Sequence, residues 1–287
     1  MKIEKLKYCF QEIRPHQWVK NLLIFAPIVF VGQLLNWLLL ERTILAFVSF
    51  CLIASSVYVL NDIFDLKEDR QHSKKRNRPL ASGEINLIEA KILSFFLFIF
   101  GIGLAYYVSQ VFLVILLFYF AFNFFYSWRL KHLVVLDLMM VAAMYLIRVY
   151  AGAVVINVPV SNWLLLTTLF IALFIAIAKR RTEIVANQNN GDIATRRVLS
   201  DYSVQFLDYL LIITNVATLV FYALYAMTRG GLFVWSILFV IYAMFRYLWI
   251  VFIKRKGEEP EKLLLKDRPI FFSILAWGIF VILILYL

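Results

Sequence analysis

The chain of 287 residues contains only two cysteines and three histidines. Two cysteines cannot form a disulfide framework, and no Cys/His group has the spacing of a zinc site. Charged residues are also scarce at 16%, whereas 63% of the residues are hydrophobic and 17% are aromatic. Soluble globular domains do not have this composition. The sequence therefore predicts a protein that resides in a lipid bilayer.

Apolar runs long enough to cross a bilayer determine the predicted fold. About 20 residues are needed to cross a hydrocarbon core of ~30 Å. Nine runs meet this length, near residues 22–40, 43–60, 88–108, 111–127, 134–154, 160–178, 205–227, 231–253 and 269–287. We therefore expect an all-α, polytopic integral membrane protein with nine transmembrane helices, in which residues 1–287 form a single domain.

Lysine and arginine are distributed unevenly between alternate loops. Of the 29 such residues, 24 fall in the amino-terminal tail and in the loops 61–86, 129–132, 179–204 and 254–268. The other side holds only Arg42 and Arg229. By the positive-inside rule we expect a plasma-membrane protein with a cytoplasmic amino terminus and an outside carboxyl terminus. This asymmetry, with attraction to anionic lipid, explains the net charge of +11 without a nucleic-acid partner.

The acids and all three histidines concentrate on the same basic side. A transporter places its polar groups near the bilayer midplane, often on broken helices. Here the polar groups stand at one end of the predicted spans, which favours an enzyme with a cytoplasm-facing active site. A non-catalytic lipid transporter or scaffold is the alternative. No coiled-coil pattern or small-residue helix motif indicates an oligomer.

The second predicted span ends in the charged stretch NDIFDLKEDRQHSKKRNRPLASG, residues 61–83. If the helix continues into this stretch, Asn61, Asp65 and Asp69 share one helix face, and Asp62 lies beside them. All four side chains carry oxygen atoms. Clustered carboxylates repel unless a cation neutralises them, and Mg²⁺ takes one or two carboxylates together with substrate phosphate oxygens. We expect these four residues to bind Mg²⁺, with a catalytic role for the three aspartates; pairing of acids with bases in a solvated loop is the alternative.

The bases that follow can hold phosphate directly, arginine through a bidentate fork and lysine as a point charge. The candidates are Arg70, Lys74, Lys75, Arg76 and Arg78. His72 lies in the same stretch, where it either helps to hold the substrate or is a surface imidazole. Together with the acids, these residues predict a site for a Mg²⁺-bound diphosphate.

This charged stretch resembles the first Asp-rich motif of the UbiA superfamily of intramembrane prenyltransferases, in which Asn-Asp-x-x-Asp-x-x-x-Asp precedes Lys-x-x-Arg-Pro-x-x-x-Gly. The segment YSWRLKHLVVLD, residues 126–137, is similar to the superfamily's Tyr-Ser-x-x-Leu-Lys element. The resemblance covers essentially the whole chain and implies a nine-helix bundle with a central cavity. It implies that Tyr126 and Lys131 flank the mouth of the active site; an aromatic-belt role is the alternative for Tyr126.

The chain departs from the superfamily pattern at the end of the sixth span. Members that use a prenyl diphosphate carry a second Asp-rich motif there, whereas this chain reads IAKRRTEIVANQN. A Lys-Arg pair binds an anion directly instead of through a metal. Lys179, Arg180 and Glu183 are therefore candidates for binding substrate, and a local Arg180–Glu183 salt bridge is the alternative.

The sequence at the end of the sixth span is similar to that of one branch of the superfamily, the decaprenyl-phosphate phosphoribosyltransferases. Further segments resemble that branch: IRPHQWVKNLLIFAP, YLIRVYAGAVVINVPVSNWLLL, AKRRTEI and EEPEKLLLKDRP. The resemblance implies Mg²⁺-dependent transfer of 5-phosphoribose from phosphoribosyl diphosphate (PRPP) to a polyprenyl phosphate, for cell-wall biosynthesis. It also favours a phosphate-binding role for Lys20 over a membrane anchor. The alternative is a UbiA-type prenyltransferase that acts on an aromatic acceptor such as 4-hydroxybenzoate.

Arg148 lies eleven residues after Asp137, which is about 16 Å along a helix. This places it deep within a predicted span, where charge is costly and is usually functional or paired. We expect Arg148 either to contact substrate or to form a structural ion pair.

Overall fold

A computed structural model describes residues 2–71, 75–190, 197–255, 257 and 260–287. Throughout these ranges the regular structure is helical, and they contain no strand. The α-helices are α1 (Lys2–Glu12), α2 (Ala26–Phe30), α3 (Trp37–Phe64), α4 (Leu66–Gln71), α5 (Pro79–Ser82), α6 (Leu87–Val108), α7 (Gln110–Trp128), α8 (Leu136–Val155), α9 (Asn162–Asn190), α10 (Val204–Arg229), α11 (Ile237–Phe252), α12 (Pro260–Lys266) and α13 (Arg268–Tyr286). The 3₁₀ segments are Pro15–Phe25, Lys75–Asn77, Leu130–His132, Arg197–Asp201 and Gly231–Ser236.

Several helices begin with local capping chemistry that is visible in the sequence. Asn86 and Glu89 form a capping box at the start of α6, each side chain accepting from the other's backbone N–H. Ser109, Ser203 and Asp267 cap α7, α10 and α13 by accepting from a backbone N–H three residues later. These caps satisfy donors that would otherwise be orphaned at a helix start.

Eight helical segments in the described residues are long and apolar enough to cross a membrane. They are Trp37–Phe64, Leu87–Val108, Gln110–Trp128, Leu136–Val155, Asn162–Ala186, Val204–Arg229, Gly231–Phe252 and Arg268–Tyr286. They correspond to the second through ninth predicted spans. The predicted first span, residues 22–40, is not a single helix.

A turn interrupts that predicted first span. The 3₁₀ segment Pro15–Phe25 leads into α2, the chain turns at Gly32 with φ 75°, and α3 begins after its cap Asn36. Hydropathy does not register such a turn, so the apolar run merged the end of one segment with the start of the next. At ~2.0 Å per 3₁₀ residue and ~1.5 Å per α residue, residues 15–30 would extend about 30 Å if the two segments were collinear. That length matches the ~30 Å hydrocarbon core. A ninth crossing by these residues stays a prediction.

The chain divides into two compact units. The first comprises Met1–Ile28, Gln33–Arg129 and Ile147–Val158; the second comprises Val29–Gly32, Leu130–Leu146 and Pro159–Leu287. In the first, α3 packs along α6, where buried Ser56 and Ser94 hydrogen-bond across the two helices. In the second, α9 packs along α10 and α11 along α13. The single domain expected from the sequence stays a prediction.

Candidate active site

The acidic stretch at the end of α3 folds into a compact ion cluster within the first unit. Arg78 Nη1 donates to Asp62 Oδ1 at 2.9 Å and to Asp69 Oδ2 at 2.5 Å. Arg14 Nη2 contacts both carboxylate oxygens of Asp62, and Lys75 Nζ lies 3.8 Å from Asp69 Oδ1. Both aspartates are buried. Two carboxylates that lie seven residues apart thus converge on one guanidinium nitrogen.

The local backbone explains this convergence. Asp65 ends α3 with φ −90° and ψ 8°, and its N–H donates to the Asn61 carbonyl at 2.9 Å. Helix α4 follows directly, and the Asp69 N–H donates to the Asp65 carbonyl at 2.8 Å. Asp62 and Asp69 become buried, whereas Asn61 and Asp65 stay half-buried. Of the four predicted metal ligands, the structure brings Asp62 and Asp69 together around Arg78.

The surroundings of Asp69 change its acidity. Burial raises the pKa of the Asp69 carboxyl, and the charge of Asp62 adds to the increase. Arg78 and Lys75 act in the opposite direction without cancelling it. A cation close to the two aspartates would therefore stabilise their ionised forms.

Glu12, the last residue of α1, is a third buried carboxylate in this region. It is 1% exposed and lies beside the Asp62 carboxylate and the Leu80 backbone. Burial and the charge of Asp62 raise the pKa of Glu12 to about 7, although Arg14 opposes the increase. Sequence reasoning missed Glu12, one of two acids in the basic amino-terminal tail, because no sequence spacing relates it to Asp62.

The acids of this cluster are of the donor type that a hard divalent cation prefers. Among the described residues, no group of three or more His, Cys, Asp or Glu side chains could hold a metal ion. Yet Asp62 and Asp69 offer carboxylate oxygens at one point, where the Arg78 nitrogen already neutralises both. Carboxylate oxygen is the donor type that Mg²⁺ prefers. A Mg²⁺ site on Asn61, Asp62, Asp65 and Asp69 thus remains a prediction that the donor set supports.

The other bases of the stretch lie at its edge. Arg76 is exposed within the 3₁₀ segment Lys75–Asn77. His72 and Lys74 lie outside the described residues. Tyr126 and Lys131 are both half-buried; the first belongs to the first compact unit and the second to the other unit.

A second polar network positions the 3₁₀ segment Pro15–Phe25. Arg148, buried in α8, donates from Nε to Asn21 Oδ1 and from Nη2 to the Tyr119 hydroxyl, each at 2.8 Å. Its guanidinium also lies 5.0 Å from the Tyr119 ring centroid and 5.4 Å from that of Phe50. Arg148 thus anchors the segment that carries Lys20, whose Nζ donates to Gln17 Oε1. A substrate contact of Arg148 stays a prediction.

One turn after Arg148, Gly152 allows a close backbone approach. A Cβ atom on Gly152 would lie 2.1 Å from the Ile24 carbonyl oxygen. No side chain fits at that distance, so the 3₁₀ segment depends on glycine at this position.

The end of α9 forms a separate cluster in the second unit. Arg180 Nε donates to Asp137 Oδ2 at 2.9 Å, and Arg180 Nη1 donates to Glu183 Oε2 at 3.0 Å. The Tyr202 hydroxyl donates to Asp137 Oδ1 at 2.7 Å and accepts from the Val135 N–H at 2.6 Å. Burial and this bond to Asp137 raise the pKa of Tyr202. The local Arg180–Glu183 salt bridge expected from the sequence spacing is present. Arg180 also has a buried partner, Asp137, which the spacing did not indicate.

The neighbouring cations differ in their surroundings. Arg181 Nε contacts Asp208 Oδ1, and Arg181 Nη1 donates to the Val251 carbonyl at 3.1 Å. Lys179 is half-buried. Sequence reasoning missed Tyr202 and gave Asp137 no role, because neither stands at a helical spacing from Arg180.

The sequence profile of the UbiA prenyltransferase family matches residues 22–284. The chain belongs to the UbiA prenyltransferase family. Its fold is similar to the solved structure of a UbiA homolog from Archaeoglobus fulgidus bound to GPP and Mg²⁺, with a TM-score of 0.73 and 20% identity over 96% of this chain and 99% of that one. The protein is accordingly a multi-pass integral membrane enzyme of the UbiA transferase family, with an all-α UbiA-like fold.

Curated relatives within the UbiA family share a more specific name. The chain is 33% identical to the decaprenyl-phosphate phosphoribosyltransferase of Mycolicibacterium smegmatis over 283 residues, which cover 92% of this chain and 88% of the relative. It is 30% identical to the enzyme of the same name from Corynebacterium glutamicum over 288 residues, covering 96% of this chain and 86% of the relative. The resemblance to the UbiA superfamily inferred from the motifs is thereby confirmed.

Proposed function

We propose that the protein transfers 5-phosphoribose from PRPP to a polyprenyl phosphate and releases diphosphate, in a Mg²⁺-dependent reaction. The observation that carries this proposal is the ion pairing at the end of α9. Arg180 and Arg181 stand where family members that use a prenyl diphosphate have a second acidic motif, and each is engaged with carboxylates. Buried arginines repel a second metal ion. The names of relatives that cover over 90% of the chain support the same activity.

The ion cluster at the end of α3 suits the diphosphate of PRPP. Asp62 and Asp69 would hold Mg²⁺, and Asn61 and Asp65 stand next to them as further oxygen donors. When bound, Mg²⁺ neutralises charge that develops on the leaving diphosphate. Arg78, with Lys75, is placed to exchange part of its carboxylate contacts for phosphate oxygens.

The reaction itself requires little proton transfer. The C1–O bond to diphosphate breaks, and a C1–O bond to the lipid phosphate forms. Positive charge develops at the anomeric carbon, as in other glycosyl transfers. The acceptor phosphate is already anionic, so it requires orientation by cations such as Lys20 more than a catalytic base.

The proposal includes the placement of the site in the membrane. We retain a cytoplasmic amino terminus and a cytoplasm-facing active site in the plasma membrane, since 24 of 29 basic residues fall on that side. An outside carboxyl terminus requires residues 15–30 to supply the ninth crossing. The polyprenyl chain would lie in the bilayer, alongside the many exposed Phe, Leu and Ile side chains of the helices.

A prenyltransferase is the second candidate function. The fold similarity to a family member bound to GPP and Mg²⁺ favours it. The basic end of α9 argues against it, because a prenyl diphosphate donor is held in that family through two acidic motifs.

Purified protein in nanodiscs can distinguish the two candidates. Labelled PRPP with a polyprenyl phosphate is compared with a labelled prenyl diphosphate and 4-hydroxybenzoate, each with Mg²⁺. We expect label from PRPP in the lipid fraction, abolished in Asp62→Asn and retained in Glu68→Gln, an exposed acid of the same stretch. Transfer from the prenyl diphosphate, with none from PRPP, would overturn the proposal.

A further inference from the structure

Tyr202 is a buried tyrosine whose hydroxyl joins two elements of the second unit, and the mechanism above leaves it unused. The hydroxyl donates to Asp137 Oδ1 at 2.7 Å and accepts from the Val135 N–H at 2.6 Å. The other carboxylate oxygen of Asp137 accepts from Arg180 Nε at 2.9 Å. One hydroxyl thus connects the end of α9, through Asp137, with the turn that precedes α8.

The ring of Tyr202 is held in place independently of its hydroxyl. The residue is 5% exposed and lies in a hydrophobic cluster with Leu138, Val198 and Leu207. Its ring also stacks on that of Phe206, with the centroids 6.2 Å apart and the planes inclined by 16°. Because the packed ring cannot swing away, the hydroxyl keeps one position. Loss of the hydroxyl alone would therefore release Asp137 and the turn and leave the packing intact.

The turn that Tyr202 holds contains a strained residue. Val135 has φ 67°, and a positive φ is unfavourable for a β-branched side chain. The Val135 side chain is exposed, so burial of this side chain does not account for the conformation. The Tyr202 hydroxyl binds the N–H of this same residue. Backbone strain persists only where surrounding contacts impose it, and it concentrates at functional sites.

Arg180 depends on the same hydroxyl for its orientation. Arg180 holds Oδ2 of Asp137 and Tyr202 holds Oδ1, so the buried carboxylate cannot rotate. A charge-assisted hydrogen bond requires alignment of donor and acceptor, so the guanidinium keeps one direction at the end of α9. The strained turn follows the 3₁₀ segment Leu130–His132, which carries Lys131 and contacts the 3₁₀ segment Arg197–Asp201. Both candidate cations of the second unit are thus attached to Tyr202.

We propose that Tyr202 is a positioning residue for the transfer reaction. Through Asp137 and Val135, its hydroxyl orients Arg180 and the turn after Lys131 toward an anionic group of the substrate. This inference rests on the proposed function for the identity of the substrates. It gives a role in the reaction to a side chain that acts through other residues and does not touch substrate.

Steady-state kinetics separate positioning from a purely structural role. Tyr202→Phe removes the hydroxyl and keeps the ring. Tyr222→Phe is the matched control, because Tyr222 is also buried in the second unit and its hydroxyl bonds to Ser236 Oγ and Trp277 Nε1, each at 2.6 Å. The full chain in nanodiscs is assayed with Mg²⁺ over ranges of PRPP and of polyprenyl phosphate.

We expect Tyr202→Phe to raise the KM for one of the two substrates about fivefold or more, with kcat changed less than about twofold. An anion that Arg180 binds is charged before and during the reaction, so a misdirected guanidinium weakens binding in both states. Tyr222→Phe should leave both KM values unchanged. A purely structural loss lowers the folded fraction, which reduces kcat and leaves KM unchanged.

Hydrogen–deuterium exchange tests the contact without the reaction. Peptides that cover residues 130–137 should exchange faster in Tyr202→Phe than in the wild type, because the Val135 N–H loses its acceptor. The same peptides should exchange at the wild-type rate in Tyr222→Phe.

Two outcomes would overturn the proposal: unchanged exchange of residues 130–137 in Tyr202→Phe, and a lowered kcat with both KM values at the wild-type level. If the wild type uses a prenyl diphosphate instead of PRPP, the proposed function fails, and the same KM comparison with that donor decides the role of Tyr202. If Tyr202→Phe does not fold, it is combined with Val135→Gly, which adopts a positive φ without strain. A raised KM in the double variant supports the proposal, and wild-type KM values overturn it.

Discussion

Arg180 and Asp137 form an ion pair at 2.9 Å in which neither side chain is more than 4% exposed. The pair joins α9 to the start of α8 within the second unit. Tyr202 directly follows the 3₁₀ segment Arg197–Asp201, and its hydroxyl donates to the same Asp137 carboxylate. This hydrogen bond attaches the end of the 3₁₀ segment to Asp137. One buried carboxylate thereby connects three segments at the end of α9.

Asp137→Asn should destabilise the protein strongly. It leaves the buried Arg180 charge without its principal partner, and breaking one side of a buried pair costs about 3–5 kcal/mol. The unfolding midpoint in an SDS titration measures the loss. Glu183→Gln is the matched comparison, because Glu183 pairs with the same arginine but is 24% exposed, so its loss should be under ~1 kcal/mol. Equal losses in the two variants would contradict the importance assigned to the buried contact.

Gly152→Ala should displace the 3₁₀ segment Pro15–Phe25. The added Cβ atom would lie 2.1 Å from the Ile24 carbonyl oxygen, and backbone cannot move aside as a flexible side chain does. Overpacking of this kind costs about 1–3 kcal/mol. We expect a lower melting temperature and reduced transfer activity.

Gly103→Ala provides the control for that substitution. Gly103 lies in α6, and a Cβ atom there would meet nothing within 4 Å. Its replacement should leave activity unchanged and alter stability by at most about 1 kcal/mol, in the stabilising direction. If the two alanine variants melt alike, the close approach at Gly152 does not restrict the fold.

Arg148→Lys should impair the protein although it conserves charge. Arg148 uses two different nitrogens for Asn21 and Tyr119, and a single ammonium group cannot reproduce that fork. The loss should be about 1–3 kcal/mol in the SDS titration. Arg129→Lys, at an exposed position, should be neutral. Full stability in Arg148→Lys would show that charge alone suffices there.

Glu12 should make the stability of the metal-free protein depend on pH. Its pKa is raised from 4.5 to about 7, so the folded state binds the proton more tightly than the unfolded state does. The stabilisation is fully present below pH ~4.5 and is lost as pH rises through about 7. Melting temperatures in chelator across that window should fall for the wild type relative to Glu12→Gln. Parallel curves would mean that Glu12 ionises equally in both states.

Local sequence signals predicted most of the helices and two of the acids that meet at the end of α3. Apolar length located eight spans, and it failed only at residues 22–40, where Gly32 and Asn36 produce a turn that hydropathy does not register. The Asn-Asp-x-x-Asp-x-x-x-Asp spacing indicated four candidates, with Asn61, Asp65 and Asp69 on one helix face and Asp62 beside them. The structure instead brings Asp62 and Asp69 together on Arg78. The basic residues at the end of α9 were identified because they stand in place of the family's second Asp-rich motif.

The sequence by itself determined that this is a membrane enzyme of all-α class, with acids concentrated at the end of one helix and bases at the end of another. Only the tertiary structure decided which of these groups meet. Arg14 reaches Asp62 across 48 residues, and Tyr202 reaches Asp137 across 65. Helical periodicity reports the face on which a side chain stands, but the partner of that face is set by packing between segments distant in the chain.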